Sequence, residues 1–525
     1  MMPANGLDHK GMLLPKKVLK AREGLYFSAI ALSMWDNIHG PKILQVWQGP
    51  GKKSRSQDDK ATRTPVSEEE MCDLSLLEDT LTSPTDLTDA TLLSVANYTL
   101  NDEAARAESI SGIESKFYSL AKLKLIVYTS IFCVTIDAVK GKTEVFSFML
   151  LLPMSETSEF LARYSFCEMS LQKLLQDFLI TPLTDSFKDK RDYARGSVQL
   201  RVDGVLENFD QPLLKFTQAM LSLKQNPLPD NIKLTDTYLG KDSGKPDIKG
   251  LLTPAITSHI QTSGYTIVLG SDREAINKMI LTLGLFLSAK ERMMSRLVSE
   301  RVEGEDQPHY EPHLFLQGLV WTTRKSVPFT KLDLYQNKLP HTIIYLDDKH
   351  VMMVESKVNV FIGRKEDSVE LTEKKNQQKI GDTTSLKEFK DVEKEMSSPL
   401  VKEFLSNLWM LNTVGGQRET FIAGFLRLLK LKALALAKYL DTDTGKPVFN
   451  LETAAEMLAL KPNPNTTEKT AINLSTLQHD LAIECFGDLH VILAFTEKIR
   501  PRTYIDVLGD PQLDNLAVIH EFASL

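Results

Sequence analysis

The sequence predicts an α+β fold: a five-stranded antiparallel sheet with flanking helices, followed by an α/β plus helical module. Three observations carry this. Two β-type runs flank a dense cluster of turn-formers within residues 27–47. Three further apolar runs follow in close succession between Lys116 and Leu152. From Leu251 the style changes to helix, short buried strand, Gly-Ser-Asp turn and helix again. A chain of 525 residues is too long for one core, and roughly two to four domains are expected.

Residues 1–24 are mildly basic and are expected to form an N-terminal tail. Their apolar piece, Met12-Leu13-Leu14, is too short for a signal-peptide core. Residues 25–180 are expected as the first domain. Its opening run leads into Trp35-Asp36-Asn37-Ile38-His39-Gly40-Pro41-Lys42 and leaves through Ile43-Leu44-Gln45-Val46-Trp47, the pattern of a hairpin. Asp36 and Asn37 can hydrogen-bond back onto the local backbone, Gly40 can take φ > 0, and Pro41 fixes φ on re-entry. The turn does not require two tryptophans and an aspartate around its tip. Exposed aromatics beside charge are typical of interaction surfaces. Trp35, Asp36 and Asn37 are therefore the candidate contact residues, set against the plainer reading in which Trp35 caps a core. Ile38, Gly40 and Pro41 have structural explanations.

Residues 49–89 are rich in Lys, Asp, Ser, Thr, Pro and Glu without periodicity. They read as a disordered insertion, which a loop accommodates at little thermodynamic cost. A short helix is expected near residues 92–100, then strands at 116–121, 125–136 and 145–152, with turns at Lys122-Leu123-Lys124 and Lys140-Gly141-Lys142. Residues 123–139 are the most apolar segment. They carry Lys124 and Asp137 and are rich in β-branched residues, so they read as a buried strand and not a membrane span. Residues 155–178 have Phe160, Leu161, Tyr164, Leu171, Leu174, Leu175 and Phe178 near the 3.6 period, one apolar helix face.

Residues 181–250 are expected to connect the two modules, with a helix at 213–223 and a Pro- and Gly-rich linker at 226–250. The central α/β domain is expected over 251–363. It begins with a helix ending at Gly264, a strand at 265–269, and a helix from Ala275 with Ser271 or Asp272 as N-cap. Short strands follow at 314–320, 342–346, 350–355 and 358–362. Residues 364–398 are charged and read as a disordered loop, and 399–525 as a helical C-terminal part. The lysines interleaved in residues 421–439 suit a solvated face, with a membrane-surface or acidic-partner face as the alternative.

Composition excludes several classes. A net charge of −7 argues against a nucleic-acid binder. Cys72, Cys133, Cys167 and Cys485 form no C-x-x-C pair, which suits a reducing cytosol. Gly141-Lys142-Thr143 resembles the tail of a P-loop, but the first glycine is replaced by Ile136. Gly445-Lys446 has Leu440 at that place, and Gly415-Gly416 is followed by Gln417. His309 and His313 have metal-like spacing, yet Pro312 would break the helix that aligns them. Asp347-Asp348 suits a polar strand end as well as acid/base work. No catalytic residues, cofactor or metal site is expected.

Several stretches, in order along the chain, carry a resemblance. They are Met34-Trp35-Asp36-Asn37-Ile38-His39-Gly40-Pro41, Ala96-Asn97-Tyr98-Thr99-Leu100-Asn101, and Ile256-Thr257-Ser258-His259-Ile260-Gln261-Thr262-Ser263-Gly264. Val268-Leu269-Gly270-Ser271, Ala289-Lys290-Glu291-Arg292, Phe315-Leu316-Gln317-Gly318-Leu319, residues 432–439 and residues 495–501 continue it. The chain resembles the longin-DENN proteins of the chromosome-nine open reading frame seventy-two family, which are similar to folliculin. The resemblance implies a longin (upstream DENN) domain followed by a DENN module. It implies regulation of small GTPases of Rab or Arf type, by nucleotide exchange or GTPase activation, in endosome–lysosome traffic and autophagy. It further implies a complex with a second longin-DENN protein and a WD-repeat protein, the activating arginine belonging to the partner. A cytoplasmic location with recruitment to endosomes, lysosomes and autophagosomes follows, with peripheral membrane contact at most. The insertion at 49–89, the loop at 364–398 and the end past Pro501 depart from the family pattern. Arg106 and Arg163 are expected as ordinary surface residues. The alternative is a trafficking adaptor without effect on nucleotide state.

Overall fold

The computed structural model describes residues 14–19, 25–36, 38–49, 87–107, 109–110, 112–137, 142–188, 198–240, 246–299, 309–321, 340–354, 390–391, 396–413, 415–442, 481–501 and 503. Asn37, the turn at 140–141, the strand expected at 358–362 and most of the segments 49–89 and 364–398 lie outside these residues. The chain divides into two compact units, Met1–Lys224 and Gln225–Leu525.

The first unit is built on a six-stranded sheet. Its strands are β1 (Lys16–Val18), β2 (Ala29–Asp36), β3 (Gly40–Gln48), β4 (Ile113–Leu120), β5 (Leu125–Asp137) and β6 (Lys142–Pro153). The spatial order is β1-β3-β2-β6-β5-β4. Strands β2 to β6 pair antiparallel throughout, in the chain order that the sequence predicts. The sheet is nevertheless mixed and not five-stranded, because β1 runs parallel to β3, with Lys16 opposite Val46. Residues expected as tail thus hold a sheet edge. Val46 donates to the Pro15 carbonyl at 2.9 Å and Leu19 to the Gln48 carbonyl at 3.0 Å. Lys16 pairs with Asp89 and Lys17 with Asp210, so both lysines are anchored by charge.

Both faces of this sheet are covered, which is why its central strands read as continuous apolar runs. On one face, Ala29, Ala31, Val127, Met149 and Leu151 pack on Leu92 and Val95 of α1 (Asp89–Ala104). Thr88 caps that helix by accepting from Thr91 N at 3.1 Å. On the other face, Trp47 and Phe148 meet Phe209 of α5 (Val198–Gln225) at ring separations of 5.7 Å each.

The helix expected over 155–178 is several pieces: α2 (Thr157–Ala162), α3 (Tyr164–Leu175), a wide π turn (Gln176–Ile180) and α4 (Thr181–Lys188). The break at Arg163 rotates the apolar face, so Leu161 and Phe178 are exposed while Phe166 and Cys167 are buried. Arg163 is not a surface residue. Its buried guanidinium donates to Glu159 O at 3.0 Å and Leu223 O at 3.3 Å. It therefore satisfies carbonyls at a helix end that have no intrahelical donor. Arg106 is half-exposed beside Glu103 and Glu114.

The second unit holds a sheet of order β11-β10-β9-β7-β8. Its strands are β7 (Thr266–Gly270), β8 (Leu316–Val320), β9 (His341–Tyr345), β10 (His350–Val354) and β11 (Lys390–Asp391). β7 is parallel to β8 and β9, while β10 is antiparallel to β9 and β11. The expected loop at 364–398 therefore contributes a short strand, and Ser398 caps the next helix. Helices α6 (Pro246–Gln261), α7 (Arg273–Gly284), α8 (Ala289–Met293), α9 (Pro399–Met410), α10 (Gln417–Thr442) and α11 (Phe486–Ile499) complete the described part. The turn from α6 to β7 depends on Gly264 at φ +97, where an added Cβ would lie 2.5 Å from Leu287 Cδ2. Asp272 caps α7, as the sequence predicts, by accepting from Glu274 N.

The segment expected as a linker is packed. Leu228, Leu234, Tyr238 and Leu239 are buried. Tyr238 N donates to Thr282 Oγ1 at 2.9 Å, and Arg418 donates to the carbonyls of Leu239 and Gly240. The fixing contacts come from α7 and α10, far along the chain, so no local apolar period announces them.

Candidate functional site

The β2–β3 turn is the first candidate. Trp35 stands opposite Pro41 and Asp36 opposite Gly40. Gly40 has φ +77, the left-handed geometry that the turn requires. Asp36 Oδ1 accepts from Ile38 N at 2.9 Å and from His39 N at 3.3 Å, closing the turn over its own carboxylate. Its other oxygen lies 3.5 Å from His39 Nδ1. The amide of Ile38, followed by that of His39, holds the Asp36 carboxyl below its usual value. Asp36 is thus a charged acceptor that orders the tip.

The two tryptophans separate. Trp47 is fully buried, and its indole donates to Asp210 Oδ1 at 2.9 Å. Trp35 is half-buried against a cluster of Leu100, Ile110, Ile131 and Val145. Asn37 lies outside the described residues. Ile38 emerges instead as the exposed apolar group, at 85% of its free surface. This corrects the structural role expected of Ile38: the turn uses its amide, but neither core packing nor the turn geometry requires its side chain. Its sequence signal is an isoleucine between Asn37 and His39 in an otherwise polar turn. The tip can therefore act as a preordered apolar point flanked by an imidazole and a carboxylate.

The second candidate is the carboxyl end of β7, β8 and β9, the usual ligand position in parallel sheets. Here Asp347 accepts from Ser271 N at 3.0 Å, Ser271 Oγ at 3.1 Å and Trp321 Nε1 at 2.8 Å. Asp272, the N-cap of α7, accepts from Glu274 N at 3.0 Å, so protein carboxylates take the Ser271 and Glu274 amides that could otherwise meet an anion. Asp347 is a clasp between strand ends. His309 and His313 flank the same sheet in a turn-rich segment. Among the described residues, no group of three His, Cys, Asp or Glu side chains is placed to hold a metal ion. Gly415 and Gly416 have φ +83 and +71 and form the turn into α10. Gly141 and the Gly445-Lys446 pair lie outside the described residues. No helix among the described residues is long and apolar enough to cross a membrane.

Relatives share nearly the whole chain. It is 27% identical over 501 residues to the human guanine nucleotide exchange factor C9orf72, covering 92% of each chain. The mouse and rat homologues of that factor match at 27% identity and the same coverage. The C9orf72-like protein family model matches residues 94–357, a span from α1 of the first unit to just past β10 of the second. By that match, the chain belongs to the C9orf72-like protein family.

Proposed function

We propose that this chain is a longin-DENN regulatory subunit that promotes guanine nucleotide exchange on a small GTPase of Rab or Arf type. The single observation behind this is the likeness along 92% of the chain to proteins named guanine nucleotide exchange factors. An exchange factor needs no nucleophile or general base. It has to hold the GTPase with its switch loops and Mg²⁺ displaced, so the candidate sites described above suffice without catalytic groups. The hairpin tip around Trp35, Asp36 and Asn37 is the proposed contact, with Ile38 as its apolar anchor. The first unit is read as the longin domain and the second as the DENN module. The subunit is read as working in endosome–lysosome traffic and autophagy, beside a second longin-DENN protein and a WD-repeat protein.

The test is a nucleotide-release and hydrolysis assay over a Rab and Arf panel, with and without a longin-DENN partner. Accelerated release from one member is the expected outcome. If neither rate changes in any combination, the chain is an adaptor and this reading fails.

A further inference from the structure

Helix α10 carries apolar side chains on both of its faces. Its inner face is conventional: Ile422, Phe425, Leu429, Ala433 and Leu436 are buried at helical spacing. Its outer face ought to be polar, yet Leu428, Leu431 and Leu434 are exposed at 43%, 55% and 50%. Successive residues advance about 100° around a helix, which places Leu431 at the crest and the other two leucines on its shoulders. Arg427 and Lys438 share the crest and Lys430 lies on the flank, all exposed. Between Glu419 and Asp441 the helix has no acidic residue. The fourth cation, Lys432, is turned inward onto the Leu481 carbonyl. The outer three make no ion pair among the described residues.

A merely solvated face accounts for the cations but not for the three leucines. A second copy of the same ridge would set Arg427, Lys430 and Lys438 against their own images. A specific protein partner typically covers about 800 Å² per side in complementary relief, and it would have to present a groove shaped to this crest. A lipid bilayer has no such requirement. It accepts a shallow apolar ridge into its interface, and an anionic surface attracts the flanking cations.

We propose that the outward ridge of α10 is a peripheral membrane-docking surface. In it Leu428, Leu431 and Leu434 enter the headgroup boundary, and Arg427, Lys430 and Lys438 meet anionic headgroups. The lysine and arginine stems can lie along the apolar ridge while their charged ends turn back to the phosphate oxygens above the acyl boundary.

Co-sedimentation of the full chain with vesicles tests this. The chain is expected to sediment with phosphatidylcholine vesicles that contain phosphatidylserine, less so as salt rises, and weakly with phosphatidylcholine alone. Combining Arg427→Glu, Lys430→Glu and Lys438→Glu should lower partition by on the order of 100-fold, given the usual contribution of each basic residue near an anionic surface. Leu431→Ser should lower it at unchanged charge, and Lys402→Glu, an exposed cation on α9, should leave it nearly unchanged. All these positions are exposed, and unchanged circular dichroism would establish that the variants fold. Equal binding to both vesicle types, or binding indifferent to the ridge variants, overturns the proposal. So does absence of binding to either vesicle, which would leave the ridge to an acidic protein partner.

Discussion

Ile38→Ser is the sharpest probe of the hairpin tip. The isoleucine is 85% exposed, so nearly its whole side chain is available to a partner and almost none to the fold. Full burial of such a side chain is worth about 1.5–3 kcal/mol. Scaled to the exposed part, its loss should weaken GTPase binding by roughly 10- to 70-fold. Unfolding stability should stay within about 0.5 kcal/mol, as for other surface substitutions. The double variant Trp35→Ala with Asp36→Ala makes the contrast. It removes a half-buried ring from the cluster of Leu100, Ile110, Ile131 and Val145. It also removes the acceptor of two turn amides. Together these losses amount to about 3 kcal/mol, so its binding defect mixes recognition with local unfolding. The assay is affinity for nucleotide-free GTPase beside urea unfolding of the same samples. If Ile38→Ser binds like the parent while the double variant loses binding and stability together, the tip is a core cap and the recognition reading is wrong.

Two further predictions concern the buried polar groups of the second unit. Glu291 is buried, pairs with Lys498 at 2.6 Å, and accepts from Ser288 N at 2.7 Å in a capping box. Lys498→Met strands that carboxylate and should cost about 3–5 kcal/mol in urea unfolding. Adding Glu291→Gln, which keeps an acceptor for Ser288, should restore most of it, whereas a cost for the single variant below about 1 kcal/mol would discount the pair. His259 is the second group. Burial chiefly, with the nearby Lys498 charge, lowers its pKa from 6.5 to about 3, against the opposing pull of Glu291. The unfolded chain binds this proton below pH 6.5 and the folded chain does not until about pH 3. Stability from this group is therefore complete above that window and falls on acidification by up to about 1.4 kcal/mol per pH unit. Urea midpoints between pH 7 and pH 5 should show the slope, and His259→Gln should flatten it; an unchanged slope in that variant would assign the effect elsewhere.

What could be read from the chain, and what could not, divides on where the stabilising contacts come from. The Asp272 cap of α7 is legible because its partner, Glu274 N, lies two residues on; β7 and the Gly264 turn are legible from an apolar run and a glycine of their own, although their packing partners lie farther along the chain. Strand β1 is not. Lys16-Lys17-Val18 has no apolar alternation and is held by Val46, Asp89 and Asp210 from distant segments. Arg163 was misread for the same reason, since the Leu223 carbonyl that it satisfies lies 60 residues away. The hairpin fails in the opposite direction. Its geometry is legible down to Asp36 and Gly40, whereas the sequence alone does not show that Trp47 belongs wholly to packing, or that Trp35, a candidate contact beside Asp36 and Asn37, belongs to it in part. A large conspicuous side chain has the most surface to bury, so folding claims it first. The better indicator of recognition is a side chain that breaks its local rule and gains nothing within the fold, as Ile38 does in a polar turn and Leu431 on an outer helix face. By that criterion both residues point to partners outside the chain, and substituting either should change binding before it changes stability.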